Sequence, residues 1–261
     1  MMHRARKRFG QNFLVDQSII NHIIRTLAPR ANDNIVEIGP GKGAITAPLV
    51  EACEKLQVIE LDKDLVPILL AQFAKYRDFK IHQCDALKFN FLDIAPINEK
   101  LRIVGNLPYN ISTPLIFHLL SFENLIQDMH FMLQKEVVLR LAAKPGEKNY
   151  GKLTVMAQYH CEVENLFDVP PESFRPAPKV ESAIVRLMPR AEKLAIAKDS
   201  KHFSTLVSTA FQQRRKTLNN SLKIYLSEDN KKLDKIDIDF SLRAENLGVA
   251  DYVALSNAIV G

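Results

Sequence analysis

Asn34-Ile35-Val36-Glu37-Ile38-Gly39-Pro40-Gly41-Lys42-Gly43 runs from a short apolar stretch into a glycine-rich turn, and its surroundings decide the fold. Residues 34–38 have the pattern of a buried strand. A helix extending to about residue 52 follows the turn, then a second strand at 56–60 and a second helix at 62–73. Further strands are expected at 79–84, 101–104, 129–133, 165–169 and 182–187, most of them separated by helical stretches. This alternation predicts an α/β fold with a mostly parallel sheet, helices on both faces and ligands at the carboxyl ends of the strands. Upstream, Ile19, Ile20, Ile23, Ile24 and Leu27 form a helical stripe that Asp16 can cap and Pro29 closes. Pro189 and the polar stretch through Lys201 mark a change of character. Helical patterns follow at 202–211, 218–226 and 252–259, so a catalytic domain is placed at 1–189 and a small all-helical domain at 190–261.

At 261 residues, 47% apolar and 25% charged, the chain has an ordinary globular composition with room for a full core and a small second domain. Cys53, Cys84 and Cys161 lie far apart with no C-x-x-C pair. Neither a metal centre nor a disulfide framework is expected, and the three read as reduced core residues of a cytoplasmic protein. No apolar run has membrane-spanning length, and residues 114–120 are broken by His118. Charge is uneven. Residues 1–30 carry six Lys/Arg against one acid, residues 31–189 carry 17 against 20, and residues 190–261 carry 12 against nine. Positive ends around a slightly acidic middle suit a core that docks on a polyanion through its extremities, with solvated surface lysines as the plain alternative. The Arg-rich residues 3–8 have the composition of a transit segment, but residues needed by the site begin only three positions later.

The glycine turn raises the choice of cofactor. A dinucleotide fold spaces its glycines G-x-G-x-x-G so that a pyrophosphate sits on the helix N-terminus. Here Gly39, Gly41 and Gly43 are spaced G-x-G-x-G, and Glu37 precedes the first by two. A carboxylate there would repel a pyrophosphate, whereas S-adenosylmethionine (SAM) brings a sulfonium and an ammonium group that it can help neutralise. Glu60, 21 residues beyond Gly39, is placed to accept both ribose hydroxyls, which does not separate SAM from NAD. Asp85, ending the third strand, can accept from an adenine amino group or cap the helix before Ala86 and Leu87.

Residues 103–113 read Ile-Val-Gly-Asn-Leu-Pro-Tyr-Asn-Ile-Ser-Thr. The Asn106 side chain and a nearby main-chain carbonyl, that of Pro108, can accept the two N–H bonds of an exocyclic amine, and the Tyr109 ring offers a stacking face. Alone, the tetrapeptide 106–109 is equally a polar strand-to-loop turn. The lone pair of an exocyclic amine is delocalised into its ring, and acceptors that favour pyramidal geometry make it a better nucleophile.

With these residues together, the chain resembles the KsgA/RsmA family of small-subunit ribosomal RNA adenine dimethyltransferases along nearly its whole length. The resemblance is carried by residues 7–14 (KRFGQNFL), the glycine turn, residues 106–112, residues 174–183 (FRPAPKVESA) and residues 210–218 (AFQQRRKTL). It implies a Rossmann-like SAM-dependent methyltransferase sheet, with Asn12 and Leu14 joining Gly39, Glu60, Asp85 and Asn106 at the cofactor. It implies that Tyr109 and Phe174 hold the target base, the alternative for Phe174 being a core ring that anchors the Pro-rich loop. It further implies transfer from SAM, leaving S-adenosylhomocysteine, to two adjacent adenosines near the 3' end of 16S rRNA, giving N6,N6-dimethyladenosine during small-subunit biogenesis. A cytoplasmic monomer acting on the small ribosomal subunit is the expected working form. Arg214, Arg215 and Lys216 would meet phosphates, or else form a solvated helix turn. The rivals are an erythromycin-resistance type enzyme acting on large-subunit RNA, a DNA adenine methyltransferase, and a ribosome-assembly factor whose catalysis is secondary. Residues 174–183 and the closing helical domain favour the first family over the erythromycin-resistance type.

Overall fold

The computed structural model describes residues 11–53, 55–226 and 236–261; the Arg-rich start and the first four residues of the 7–14 segment lie outside them. The elements in order are β1 (Phe13–Leu14), α1 (Gln17–Leu27), β2 (Asn34–Ile38), α2 (Thr46–Ala52), β3 (Lys55–Glu60), α3 (Val66–Gln72), β4 (Phe79–Gln83), β5 (Leu101–Asn106), α4 (Ser112–Leu120), β6 (Ile126–Gln134), α5 (Lys135–Leu141), α6 (Lys152–His160), β7 (Cys161–Val169), β8 (Phe174–Arg175), β9 (Ser182–Pro189), α7 (Ser200–Gln212), α8 (Leu218–Ser221) and α9 (Val249–Val260). The expected strands are all present. Asp16 caps α1 by accepting from the Ser18 and Ile19 N–H groups at 2.9 and 3.3 Å, and Ile20, Ile23 and Leu27 are buried. The helix expected at 218–226 is confined to four residues.

Within the described residues, seven strands form one sheet in the order β4-β3-β2-β5-β6-β9-β7. The strands β4, β3, β2, β5 and β6 are parallel, and β9 runs antiparallel to β6. The central strands are nearly continuous apolar runs because helices cover a parallel sheet on both faces. The order reverses between β2 and β5, and such a reversal opens a crevice at the carboxyl ends of the strands. A separate antiparallel pair joins β1 to β8, with Leu14 opposite Phe174.

The second unit is not the contiguous segment 190–261. It also takes in residues 139–163, while residues 164–189 return to the first unit. Val155 and Tyr159 of α6 belong to a buried cluster with Phe203, Leu206, Val207 and Tyr252. The spacing of Val155 and Tyr159 shows that a helix has an apolar face, but local periodicity carries no information about which core receives it.

Arg102 is a charge at the second position of the buried β5. Its guanidinium meets Asp128 of β6 (Nε to Oδ1 3.0 Å, Nη2 to Oδ2 2.9 Å), Asp33 (2.6 Å) and the Leu27 carbonyl at the end of α1 (2.7 Å). Burial opposes ionisation of Asp128, but the His130 ring 3.5 Å away and the bonds from Arg102 outweigh it and hold the carboxyl below its ordinary 3.8. Its stabilising contribution is therefore present above that pH and is lost as pH falls through the lower folded value. Arg102→Ala strands a buried carboxylate and should lower the free energy of unfolding by about 3 to 5 kcal/mol. Arg102→Met combined with Asp128→Leu should lose less than Arg102→Ala alone. Urea unfolding measures both, and a loss below roughly 1 kcal/mol for Arg102→Ala would remove the cluster from its structural role.

Candidate active site

A cavity of about 370 Å³ opens at the carboxyl ends of β2, β3 and β5. Asn12, Leu14, Glu37, Gly39, Gly41, Glu60, Asp85, Asn106, Pro108 and Tyr109 all line it, so residues up to 97 positions apart in sequence meet in one place. The turn after β2 folds back sharply, with Gly39, Gly41 and Gly43 all at positive φ (69°, 59° and 82°). That region is strained for residues with a Cβ. The Gly39 N–H donates to the Ile59 carbonyl (2.9 Å), joining the turn to the end of β3.

Three carboxyl groups stand at successive strand ends. Glu37 is 2% exposed, and Thr46 Oγ1 donates to its Oε2 at 2.5 Å. Burial, only partly offset by that bond, pushes the Glu37 carboxyl up to about 8. Glu60 ends β3, and its two oxygens accept from the N–H groups of Asp62 (2.7 Å) and Gly41 (3.4 Å). Burial raises it too, against these backbone bonds. The Asp85 Oδ1 accepts from the Leu87 N–H (3.0 Å), so Asp85 both caps a turn and lines the cavity. Carboxyls at this depth suit a ligand that carries positive charge and hydroxyl or amine donors, and the glycine turn lets it approach the main chain.

Asn106 is the last residue of β5. Its Nδ2 donates to the Asn12 carbonyl (3.1 Å), which assigns the amide orientation and leaves Oδ1 as the acceptor. The Pro108 carbonyl accepts from the Ile111 N–H (3.1 Å), and a carbonyl oxygen has a second lone pair for another donor. The Tyr109 hydroxyl lies 2.8 Å from Ser182 Oγ.

Two expected residues are elsewhere. Phe174 is 1% exposed and packs in the core cluster with Leu14, so its ring has no open face for a base and the core-ring alternative describes it. Its register opposite Leu14 on β1 places it there, a pairing across 160 residues with no local signature. Gly43 does not line the cavity; a Cβ on it would come 2.9 Å from the Phe73 ring, so its role is close packing behind the turn. Cys53 and Cys161 are buried as expected, but Cys84 is half-buried and lines the cavity. Several contributors lacked a sequence reading. Gly105 is the clearest, because a Cβ there would lie 2.5 Å from the Ile38 carbonyl. Gln11 donates to Asp62 (3.1 Å), and both line the cavity. The position of Asp62, two residues past Glu60, was the available signal.

Glu37 supplies a pH test. Between its ordinary 4.5 and about 8, the folded state holds a proton that the unfolded state releases, so its contribution to stability falls as pH rises through that window. Glu37→Gln removes this titration. Without ligand, its melting temperature relative to the unaltered protein should climb from pH 5 to about pH 8 and then level off. A difference that stays flat across the series would mean Glu37 ionises normally.

The family model described as "Ribosomal RNA adenine dimethylase" matches residues 2–260. The chain is 65% identical over 257 residues to ribosomal RNA small subunit methyltransferase A of Saccharophagus degradans, covering 98% of this chain and 95% of that protein. It is 55% identical over 257 residues to the protein of the same description from Marinobacter nauticus, covering 98% and 92%. Among solved structures it is similar to a dimethyladenosine transferase from Plasmodium falciparum, with a TM-score of 0.77 at 28% identity over 93% of this chain and 95% of that one. It shares its fold with the 23S rRNA methyltransferase ErmE, with a TM-score of 0.75 at 24% identity over 96% and 100%. The chain belongs to the ribosomal RNA adenine dimethylases, SAM-dependent methyltransferases that act on adenine in rRNA.

Proposed function

We propose that this enzyme dimethylates N6 of two adjacent adenosines near the 3' end of 16S rRNA, within the small ribosomal subunit, as a cytoplasmic monomer. One observation carries the chemistry: the Asn106 amide is oriented by the Asn12 carbonyl so that its oxygen is the acceptor at a cavity bearing three carboxyls. Two relatives that are at least 55% identical over 98% of the chain are small-subunit enzymes, which supports that substrate over large-subunit RNA.

Glu60 would hold the ribose, Asp85 the adenine amine, and Glu37 with the main chain of Gly39 and Gly41 the charged methionine end, with Asn12 and Leu14 also bordering the cofactor. Bound there, SAM supplies an electrophilic methyl to the amine nitrogen and leaves S-adenosylhomocysteine. Asn106 Oδ1 and the Pro108 carbonyl accept the amine N–H bonds and strengthen their hold as positive charge develops on nitrogen. Tyr109 stacks on an adenine taken out of its helix or held in a loop. The surplus proton passes to water, so no general base is required, and much of the acceleration is positioning.

Arg214, expected on phosphate, is instead held by the Lys148 carbonyl (2.8 Å), the Tyr150 carbonyl (3.3 Å) and Glu245 (3.2 Å) in the second unit. Arg215 and Lys216 are exposed in the turn after α7 and are the better phosphate ligands.

Incubating the protein with labelled SAM and each ribosomal subunit from an unmethylated source, then mapping the label, should place two dimethylated adenosines in small-subunit RNA only. Label in the large subunit would refute the assignment. Glu60→Ala should abolish transfer while leaving subunit binding largely unchanged; equal loss of both would show that docking and cofactor binding are inseparable. Replacing Arg215 and Lys216 by Ala should reduce the slope of log affinity against log salt by roughly 0.7 to 0.9 per residue, and an unchanged slope would take the pair off the RNA.

A further inference from the structure

Tyr109 is anchored at both ends of the residue. Its hydroxyl lies 2.8 Å from Ser182 Oγ, and Ser112 Oγ donates to its main-chain carbonyl at 3.2 Å. Ser182 is fully buried at the first position of β9, where it pairs with Gln134 of β6. The residue before it is tied down as well: the Lys135 N–H donates to the Glu181 carbonyl (3.0 Å), and Lys135 Nζ meets Glu181 (2.8 Å) and Asp168 (2.9 Å). The serine hydroxyl is thus a rigid point, 73 residues along the chain from the aromatic it holds. Phenylalanine would give the same stacking area without needing a polar partner; tyrosine adds a handle by which the ring can be fixed.

We propose that Ser182 is a positioning residue for methyl transfer: its hydroxyl fixes the Tyr109 ring plane against the target adenine, and the second methylation depends on this more than the first. The inference rests on Tyr109 being the stacking face. An unmethylated amine offers two N–H bonds to the Asn106 and Pro108 acceptors, and a once-methylated amine offers one. With one hydrogen bond fewer, the orientation of the second substrate rests more on the aromatic face. A ring free to tilt therefore penalises the second step more.

The test compares Ser182→Ala, Tyr109→Phe, their combination and Tyr109→Ala, using unmethylated small subunits and nucleoside analysis of the product. Each of the first three should lower kcat for the second methyl by roughly tenfold with KM for SAM unchanged. N6-methyladenosine should accumulate relative to the dimethyl product by roughly fivefold or more. The combination should be no worse than either single change, because one hydrogen bond is removed in all three. Ser182→Thr keeps the hydroxyl and should restore the product ratio. SAM binding by calorimetry at unaltered affinity identifies folded variants, and if Ser182→Ala does not fold, Tyr109→Phe, which removes one atom, decides the matter. An unaltered product ratio in Ser182→Ala and Tyr109→Phe alongside an impaired Tyr109→Ala overturns the positioning role alone. Unaltered turnover in Tyr109→Ala overturns the stacking assignment beneath it.

Discussion

The parallel contact between β2 and β5 is the constraint on which the site depends. Glu37 pairs with Val104 in register, and one step further the chain needs glycine, because a Cβ on Gly105 would lie 2.5 Å from the Ile38 carbonyl. This approach brings the end of one strand, with its glycine turn, beside the end of the other, with Asn106. A Cβ on Gly39 would make ordinary van der Waals contact, at 3.7 Å, with the Asn106 carbonyl oxygen. The reversal of strand order at this contact turns the gap between the strand ends into a cavity. A bulkier residue at 105 would push apart the two halves of the site before it touched any ligand.

Electrostatics then select what enters. Burial raises both Glu37 and Glu60, and each is partly compensated by hydrogen bonds, from Thr46 to the first and from the Asp62 and Gly41 N–H groups to the second. Carboxyls held in this way gain from a cationic, hydroxyl-bearing ligand, which favours their ionised form, whereas a pyrophosphate would oppose their ionisation further, and in this a SAM site and a dinucleotide site differ although the sheets are alike. The segment 11–14 completes the wall. Its Gln11 reaches Asp62 and its Asn12 carbonyl orients the Asn106 amide, so the same few residues that border the cofactor cavity also set the acceptor for the amine.

The aromatic residues divide into two roles. Phe174 contributes to the core and secures the β1–β8 pair, and so indirectly the position of Leu14 at the cavity. Tyr109 remains on the cavity wall with its hydroxyl held by Ser182. Within the second unit, Arg214 is exposed like Arg215 and Lys216, but main-chain carbonyls and Glu245 engage its guanidinium.

Features governed by short range were legible in the chain. The strand-turn-helix at 34–52, the Asp16 cap, the three carboxyls at strand ends and the acceptors at 106–108 each follow from adjacent residues whose backbone geometry or periodicity has few solutions. Features that depend on distant partners were not. The transfer of residues 139–163 to the second unit, the burial of Phe174, the packing role of Gly43 against Phe73 and the hold of Ser182 on Tyr109 all arise from contacts between remote segments. Sequence alone determined the cofactor chemistry and the class of sheet, because charge and glycine spacing act locally. Only the tertiary structure decided which aromatic faces the cavity and which faces the core, because burial is a property of the neighbours a residue acquires when the chain closes on itself.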